Sequence, residues 1–366
     1  MRIPAGPRLT PLLATILLAC SHSDPAGSWL PPEDGPLVDG SPARLTYSAG
    51  TDVWPTFSQD GSRLLYAYEL GTPDRDRCLG ILPSVGGQRV AEVCSVDANP
   101  GVRDGFEHGA LSAGGVLAFT RHSGDIGGPT ASSGSLYFAP VDALADAQKV
   151  FDLKTVVTGA SRRWDYLLDP TWISDTELAF VGTQVAYIPP GPFLPEDTIY
   201  TGLDLAKVRL DGGTPEVTVL ADLGNAQALA FDPTLSRFAF LRHDSVFTIA
   251  VGGGVPAFAF ALTPEVDTYG HAIRGVAAGG GKLFIAWTST QNTGSTSWRI
   301  THRVSEIGAG GALTTLAERQ QFFAEGVLTS NEGTWQRLSA SPDGTTLAIE
   351  GRYSPSGDDI YLLELE

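Results

Sequence analysis

Apolar and polar residues alternate in short runs along most of this chain, and turns rich in glycine separate the runs. The stretch WPTFSQDGSRLLYAY, Trp54 to Tyr68, sets an apolar run, a Ser-x-Asp-Gly turn and a second apolar run in sequence. RLSASPDGTTLAIEG, Arg337 to Gly351, repeats that arrangement near the C-terminus. Period-two alternation with β-branched and aromatic residues predicts strands rather than helices. The turn has the residues a chain reversal needs. Pro342 presets the first turn angle, Asp343 tolerates the bridge conformation and Gly344 takes the left-handed position.

Four worn copies lie between: GALSAGGVLAFTR from Gly109, DPTWISDTELAFVG from Asp169, ALAFDPTLSRFAFLR from Ala228 and GVAAGGGKLFIAW from Gly275. Six units at intervals of roughly 45 to 65 residues are the sequence signature of a propeller rather than a helical solenoid. Each unit continues into a third strand, predicted at Leu79–Leu82, Leu136–Ala139, Leu205–Leu210, Val246–Val251, Arg299–Val304 and Ile360–Glu364. A fourth strand follows in every unit but the last, which has no residues left for one, and glycine turns lead into it at Gly86-Gly87, Gly212-Gly213, Gly252–Gly254 and Gly308–Gly311. Ala43 to Tyr47 has the fourth-strand pattern without a third strand before it. Pairing it with Ile360–Glu364 closes the ring and leaves no sheet edge exposed there.

The succession of Leu-Thr, Pro-x-Phe-Ser-x-Asp-Gly, a Leu-x-Tyr strand, a third strand and a Gly-Gly turn resembles the repeats of TolB-type six-bladed propellers. It covers residues 43–366. The resemblance implies an all-β fold of six four-stranded antiparallel blades. TolB's additional α/β domain has no counterpart in the pattern, so its role in the Tol system is not carried over. Prolyl-oligopeptidase relatives place a hydrolase domain beside such a propeller, but no Gly-x-Ser-x-Gly nucleophile elbow occurs here.

The N-terminus carries a different pattern. Arg2 and Arg8 precede the apolar run Leu12 to Ala19, too short to span a bilayer and suited to a signal-peptide core. Leu17-Leu18-Ala19-Cys20 resembles the lipobox of bacterial lipoproteins. That resemblance implies cleavage after residue 19, lipid on Cys20 and attachment to a membrane, with residues 20–42, rich in Pro, Gly, Ser and Asp, as a flexible tether. Aspartate after the lipidated cysteine retains some lipoproteins in the inner membrane. Ser21 stands there instead, which points to the outer membrane. Cys78 and Cys94 then remain, and a hairpin centred near Gly86 sets them opposite each other at disulfide distance in an oxidising compartment. A loop of that length contributes on the order of 3 kcal/mol when closed.

A formal charge of −17 argues against nucleic acid and anionic lipid surfaces, which attract Lys and Arg. The predicted turns between first and second and between third and fourth strands are short and share one face. Longer connections gather on the other: Glu69–Arg77, His122–Gly134, Ser161–Leu168, Gly182–Gly202 and Ala317–Thr334. Such a face is where recognition concentrates. In the third unit, Tyr187, Phe193 and Tyr200 stand among Pro189, Pro190, Pro192 and Pro195 as a candidate binding ridge. Residues just before each first strand approach the channel from that face: Asp52, Glu107, His108, Asp169, Gln227, His271, Arg274, Trp335 and Arg337.

Convergent histidines and carboxylates can hold a divalent metal or act as acid and base, yet no His-x-x-His, His-x-x-x-His or EF-hand spacing is present. No cofactor is expected. The sequence therefore predicts a monomeric, lipid-anchored envelope propeller that binds a protein, peptide or glycan without catalysis. The alternative is a lyase or hydrolase of saccharides or lactones using the channel residues.

Overall fold

The structure, a computed structural model, describes residues 42–46, 51–69, 77–87, 89–94, 102–125, 133–150, 163–188, 197–211, 215–263, 268–331, 333–352 and 358–365. Strand β1 (Ala43–Arg44) precedes the first blade, which is built from β2 (Asp52–Phe57), β3 (Arg63–Glu69), β4 (Arg77–Pro83) and β5 (Ala91–Cys94). The second blade has β6 (Val102–Leu111), β7 (Val116–Asp125), β8 (Ser133–Pro140) and the short β9 (Gln148–Lys149). The third has β10 (Arg163–Trp172), β11 (Glu177–Ile188), β12 (Asp197–Arg209) and β13 (Glu216–Gly224). The fourth has β14 (Gln227–Asp232), β15 (Arg237–Arg242), β16 (Ser245–Ala250) and β17 (Ala257–Ala261). The fifth runs through β18 (Thr268–Gly279), β19 (Lys282–Gly294), β20 (Ser297–Ile307) and β21 (Leu313–Ala324), and adds β22 (Val327–Asn331) at its edge. In the sixth, β23 (Thr334–Ala340), β24 (Thr346–Arg352) and β25 (Asp358–Glu364) take β1 as their fourth strand. The protein is a six-bladed β-propeller, with helix among the described residues limited to two 3-10 turns at Val141–Asp146 and Ala309–Gly311.

Six apolar clusters hold the ring, one at each seam between neighbouring blades. Trp164 and Phe180 pack toward Leu136 and Ala110 at the seam of blades two and three, and Phe57, Leu64 and Tyr66 meet Ala348 and Ile360 where blade one meets blade six. A blade flanked on both faces buries successive residues instead of every second one. Leu64, Leu65, Tyr66 and Ala67 are all fully buried for that reason.

Closure follows the predicted pairing, with Ala43 opposite Leu362 and Arg44 opposite Tyr361. The Leu45 N–H donates to the Ile360 carbonyl at 2.7 Å, and the Ile360 N–H donates to Thr46 Oγ1 at 2.9 Å. Beside them Arg44 Nη2 lies 2.9 Å from Asp359 Oδ2, with both side chains buried. The two clear turns are built alike. Ser58 Oγ donates to Asp60 Oδ1 and Ser341 Oγ to Asp343 Oδ1, each at 2.6 Å, and each aspartate also accepts a backbone N–H two residues on. These bonds hold both carboxyls below their ordinary range, against the opposing effect of burial, which is the largest influence on Asp60. Cys78 and Cys94 sit opposite each other on β4 and β5 and form a disulfide with a Cα separation of 4.4 Å.

One expectation is corrected. Much of what was read as long connections is strand: β7 continues to Asp125, β11 to Ile188, and β21 to Ala324 with β22 beyond it. The segments Val185–Ile188 and Asp197–Tyr200 pair in register because each supplies β-branched or aromatic residues to an antiparallel ladder. Blade height therefore varies. β11 has 12 residues and β19 has 13, whereas β15 has 6 and turns at His243–Asp244 into β16. At about 3.3 Å per residue, blades three and five stand roughly 20 Å taller along the strand than blade four between them.

The closure predicts its own weak point. Arg44→Ala removes the guanidinium 2.9 Å from the buried Asp359, and we expect a loss of about 3 kcal/mol in urea unfolding. The double variant Arg44→Met, Asp359→Leu, which removes both charges, should stay much closer to the parent.

Candidate functional site: the channel mouth

The inner strands β2, β6, β10, β14, β18 and β23 surround the central channel, and every one of them breaks its ladder with a bulge. The interruptions fall at Trp54–Pro55, His108, Asp169–Pro170, Ala228, Arg274 and Gln336–Arg337. In two of them a proline, which has no N–H to donate, marks the place where pairing stops. Trp54, Asp169 and Ala228 adopt φ of 55°, 46° and 53°. A residue with a Cβ held there costs on the order of 1–3 kcal/mol and persists only where its surroundings over-determine it. A bulge re-aims side chains. Here it brings Trp54, His108, Asp169 and Arg337 to the wall of a cavity of about 140 Å³, whose deeper lining includes the small residues Thr56, Ala110, Thr171, Ala230 and Ser339.

The four mouth residues form one cluster. His108 Nδ1 lies 2.7 Å from Asp169 Oδ1, and the imidazole stacks on the Trp54 indole with centroids 4.6 Å apart. The guanidinium groups of Arg77 and Arg337 lie 4.6 and 5.4 Å from the centroid of the same indole. Arg77 is braced by Glu107 at 3.0 Å, and Glu107 accepts the Tyr166 hydroxyl at 2.7 Å. The backbone N–H of Trp54 donates to Glu350 Oε2 at 2.9 Å, so the bulge is fixed at its backbone as well as its ring.

The two carboxyl groups behind this cluster are tuned in opposite directions. Burial pushes Asp169 up, but the His108 charge and hydrogen bond, with Arg337 and the Leu229 N–H, outweigh it and hold the carboxyl below its ordinary range. At Glu350 burial dominates and pushes the carboxyl up, despite the attraction of Arg337 and the Trp54 N–H.

Of the mouth residues expected from sequence, the structure brings His108, Asp169 and Arg337 to the cavity. Glu107 stands behind them. Asp52 is buried at the head of β2, Gln227 is exposed, and His271 sits 4.0 Å from Asp244. Arg274 is exposed outside the cavity lining, and its charge is felt by His302. Trp335 is 1% exposed in the core between blades five and six, with Arg319 over its ring at 3.9 Å. Alternation places it there: the bulge after Trp335 turns Arg337, not the indole, to the channel. Tyr187 and Tyr200 lie on the raised parts of β11 and β12, while Phe193 and Cys20 lie outside the described residues. Among the described residues no three His, Cys, Asp or Glu side chains gather as a metal site would require.

Sequence reasoning missed Trp54, Arg77 and Glu350. A signal for Trp54 was present in the matching Trp54-Pro55 and Asp169-Pro170 pairs, each a proline inside an otherwise apolar first strand.

No family model and no curated protein matches the sequence. Among solved structures the chain is similar to XC5397, a gluconolactonase from Xanthomonas campestris, at 15% identity over 89% of this chain and 95% of that one, with a TM-score of 0.48. It is also similar to the β-propeller domain of the Trilobed protease from Pyrococcus furiosus, at 11% identity over 87% and 96% of the two chains, TM-score 0.46. A puromycin-hydrolyzing peptidase from Mycobacterium tuberculosis matches at 15% identity over 93% of this chain, TM-score 0.44, and the chain spans about half of that protein, 54%. These likenesses concern the fold and leave the chemistry of the mouth to its own residues.

Glu350 gives the site a pH signature. Its folded pKa lies above the ordinary 4.5, so its share of stability is complete below that pH and is lost as pH rises through the folded value. Glu350→Gln keeps an acceptor for the Trp54 N–H and cannot ionise. Thermal unfolding should show the variant gaining on the parent as pH rises from 4.5 toward neutrality. Parallel Tm profiles across that range would contradict the assignment.

Proposed function

We propose that the protein is a lipid-anchored module of the bacterial cell envelope that binds a protein, peptide or glycan on the face where the channel opens. The observation that carries this reading is the shape of that face. The tall strands of blades three and five flank the low blade four, and the cluster of Trp54, His108, Asp169 and Arg337, strained at Trp54 and Asp169, lies at the axis beside them. A rigid scaffold with raised edges and a polar centre suits the capture of an extended ligand over blade four. Lipid on Cys20 and a tether over residues 20–42 hold the module at the outer membrane, and it acts as a monomer. The TolB-like repeats give the scaffold without TolB's role. Replacing residues 186–199 by Asn-Gly joins the opposed Val185 and Tyr200 through a two-residue turn and removes the raised hairpin. A partner crosslinked at the membrane should then be recovered several-fold less, and unchanged recovery sinks this reading.

The His108–Asp169 contact supports a second reading, a lyase or hydrolase of saccharides or lactones. A carboxylate that orients an imidazole beside a cavity, with a protonatable carboxyl nearby, is an acid–base arrangement. Under that reading His108→Ala lowers lactone opening or saccharide cleavage by at least about 100-fold. Absence of either turnover in the parent protein removes it.

A further inference from the structure

Arg337 lines the cavity and is half-buried. Its charge is felt by Asp169 and Glu350, but no hydrogen bond or close ion pair ties it to a described residue. Its neighbours are already engaged: Asp169 by His108 and the Leu229 N–H, Glu350 by the Trp54 N–H, and Arg77 by Glu107 and Glu69. A guanidinium presents five donors in a planar fork that matches a carboxylate in two parallel bonds. The bulge at Gln336–Arg337 sets this fork at the cavity wall, and the indole of Trp54 limits where it can swing.

We propose that the channel mouth binds a small monocarboxylate, its two oxygens taken by Arg337 and its body seated beside Thr56, Thr171 and Ser339. This rests on the channel face being the binding face, and it names the chemical group that face reads: an acidic chain end or an acidic sugar. The choice of a monoanion follows from charge. Arg77 is already held by Glu69 and Glu107, and Arg337 stands near two carboxyl groups, Asp169 and Glu350, so a phosphate dianion would meet more repulsion than a monoanion for the same guanidinium fork. The cavity of about 140 Å³ admits a small acid or the tip of a longer ligand and not a whole polymer.

Titration calorimetry of the purified protein tests this with lactate, benzoate and glucuronate against lactamide, benzamide and glucose, and with inorganic phosphate. We expect at least one of the acids to bind at millimolar or lower concentration, its neutral counterpart to bind at least tenfold more weakly, and phosphate to bind more weakly still. Arg337→Gln should weaken the acid at least tenfold, and Arg337→Lys, which keeps the charge and loses the fork, should fall between. The proposal is overturned if no acid binds, if the neutral counterparts or phosphate bind as tightly, or if Arg337→Gln binds as the parent does while its unfolding profile is unchanged. The variant with the shortened β11–β12 hairpin retains Arg337. Acid binding without partner loss in that variant leaves this proposal standing and the broader one fallen, and the converse pattern does the reverse.

Discussion

Ring closure between β1 and β25 is the contact on which the rest of the propeller depends. Blade six has three strands of its own, and without β1 its outer edge would stand open and the seam with blade one would lack Leu45. Two backbone bonds, the Thr46 hydroxyl and a buried Arg44–Asp359 pair concentrate at that one place. A buried ion pair adds little net stability over an apolar one, but it tolerates no other register, since a slip of one residue would strand both charges. The same seam between blades one and six holds Trp54, whose backbone N–H donates to Glu350 of β24.

From that constraint the mouth follows. Six inner strands converge on one axis, and small side chains, Thr56, Ala110, Thr171, Ala230 and Ser339, alternate with larger ones along the cavity lining. Large groups enter where a bulge turns the strand aside. The strain at Trp54 and Asp169 is held by the stacked His108, the two guanidinium groups and the Glu350 carboxyl. Taken together these contacts make a rigid, pre-set cluster, which is what a recognition site needs if its ligand is not to lose affinity in ordering it.

The fold was legible because its signals are local and repeated. Ser-x-Asp-Gly turns, alternating strands and a missing fourth strand can be read from neighbouring residues, and the Cys78–Cys94 pairing from the symmetry of one hairpin. The mouth was legible in part. His108, Asp169 and Arg337 were found because position before a first strand carries them to the right height, but that rule cannot say which residue a bulge will turn inward. Trp335 and Asp52 obey the same rule and are buried in the blade. Glu350 lies on a second strand, 296 positions from the N–H it accepts, and no local pattern announces so distant a partner. Strand length failed for a related reason: Val185–Ile188 is followed by Pro189 and Pro190, which suggest a loop, and only the opposing Asp197–Tyr200 makes it a ladder.

The seam between blades two and three differs from the others described, because Tyr166 on β10 pairs in parallel with Gly134 on β8 and merges the two blades into one continuous sheet. Other seams are crossed by side-chain packing and by single backbone bonds, such as Gln59 N–H to the Leu111 carbonyl and Gly280 N–H to the Pro342 carbonyl. His108 and Asp169 belong to these two blades joined into one sheet, whereas Arg337 comes from β23 in a separate sheet. The dyad is thus built within one continuous hydrogen-bonded body, and the cation reaches it from another.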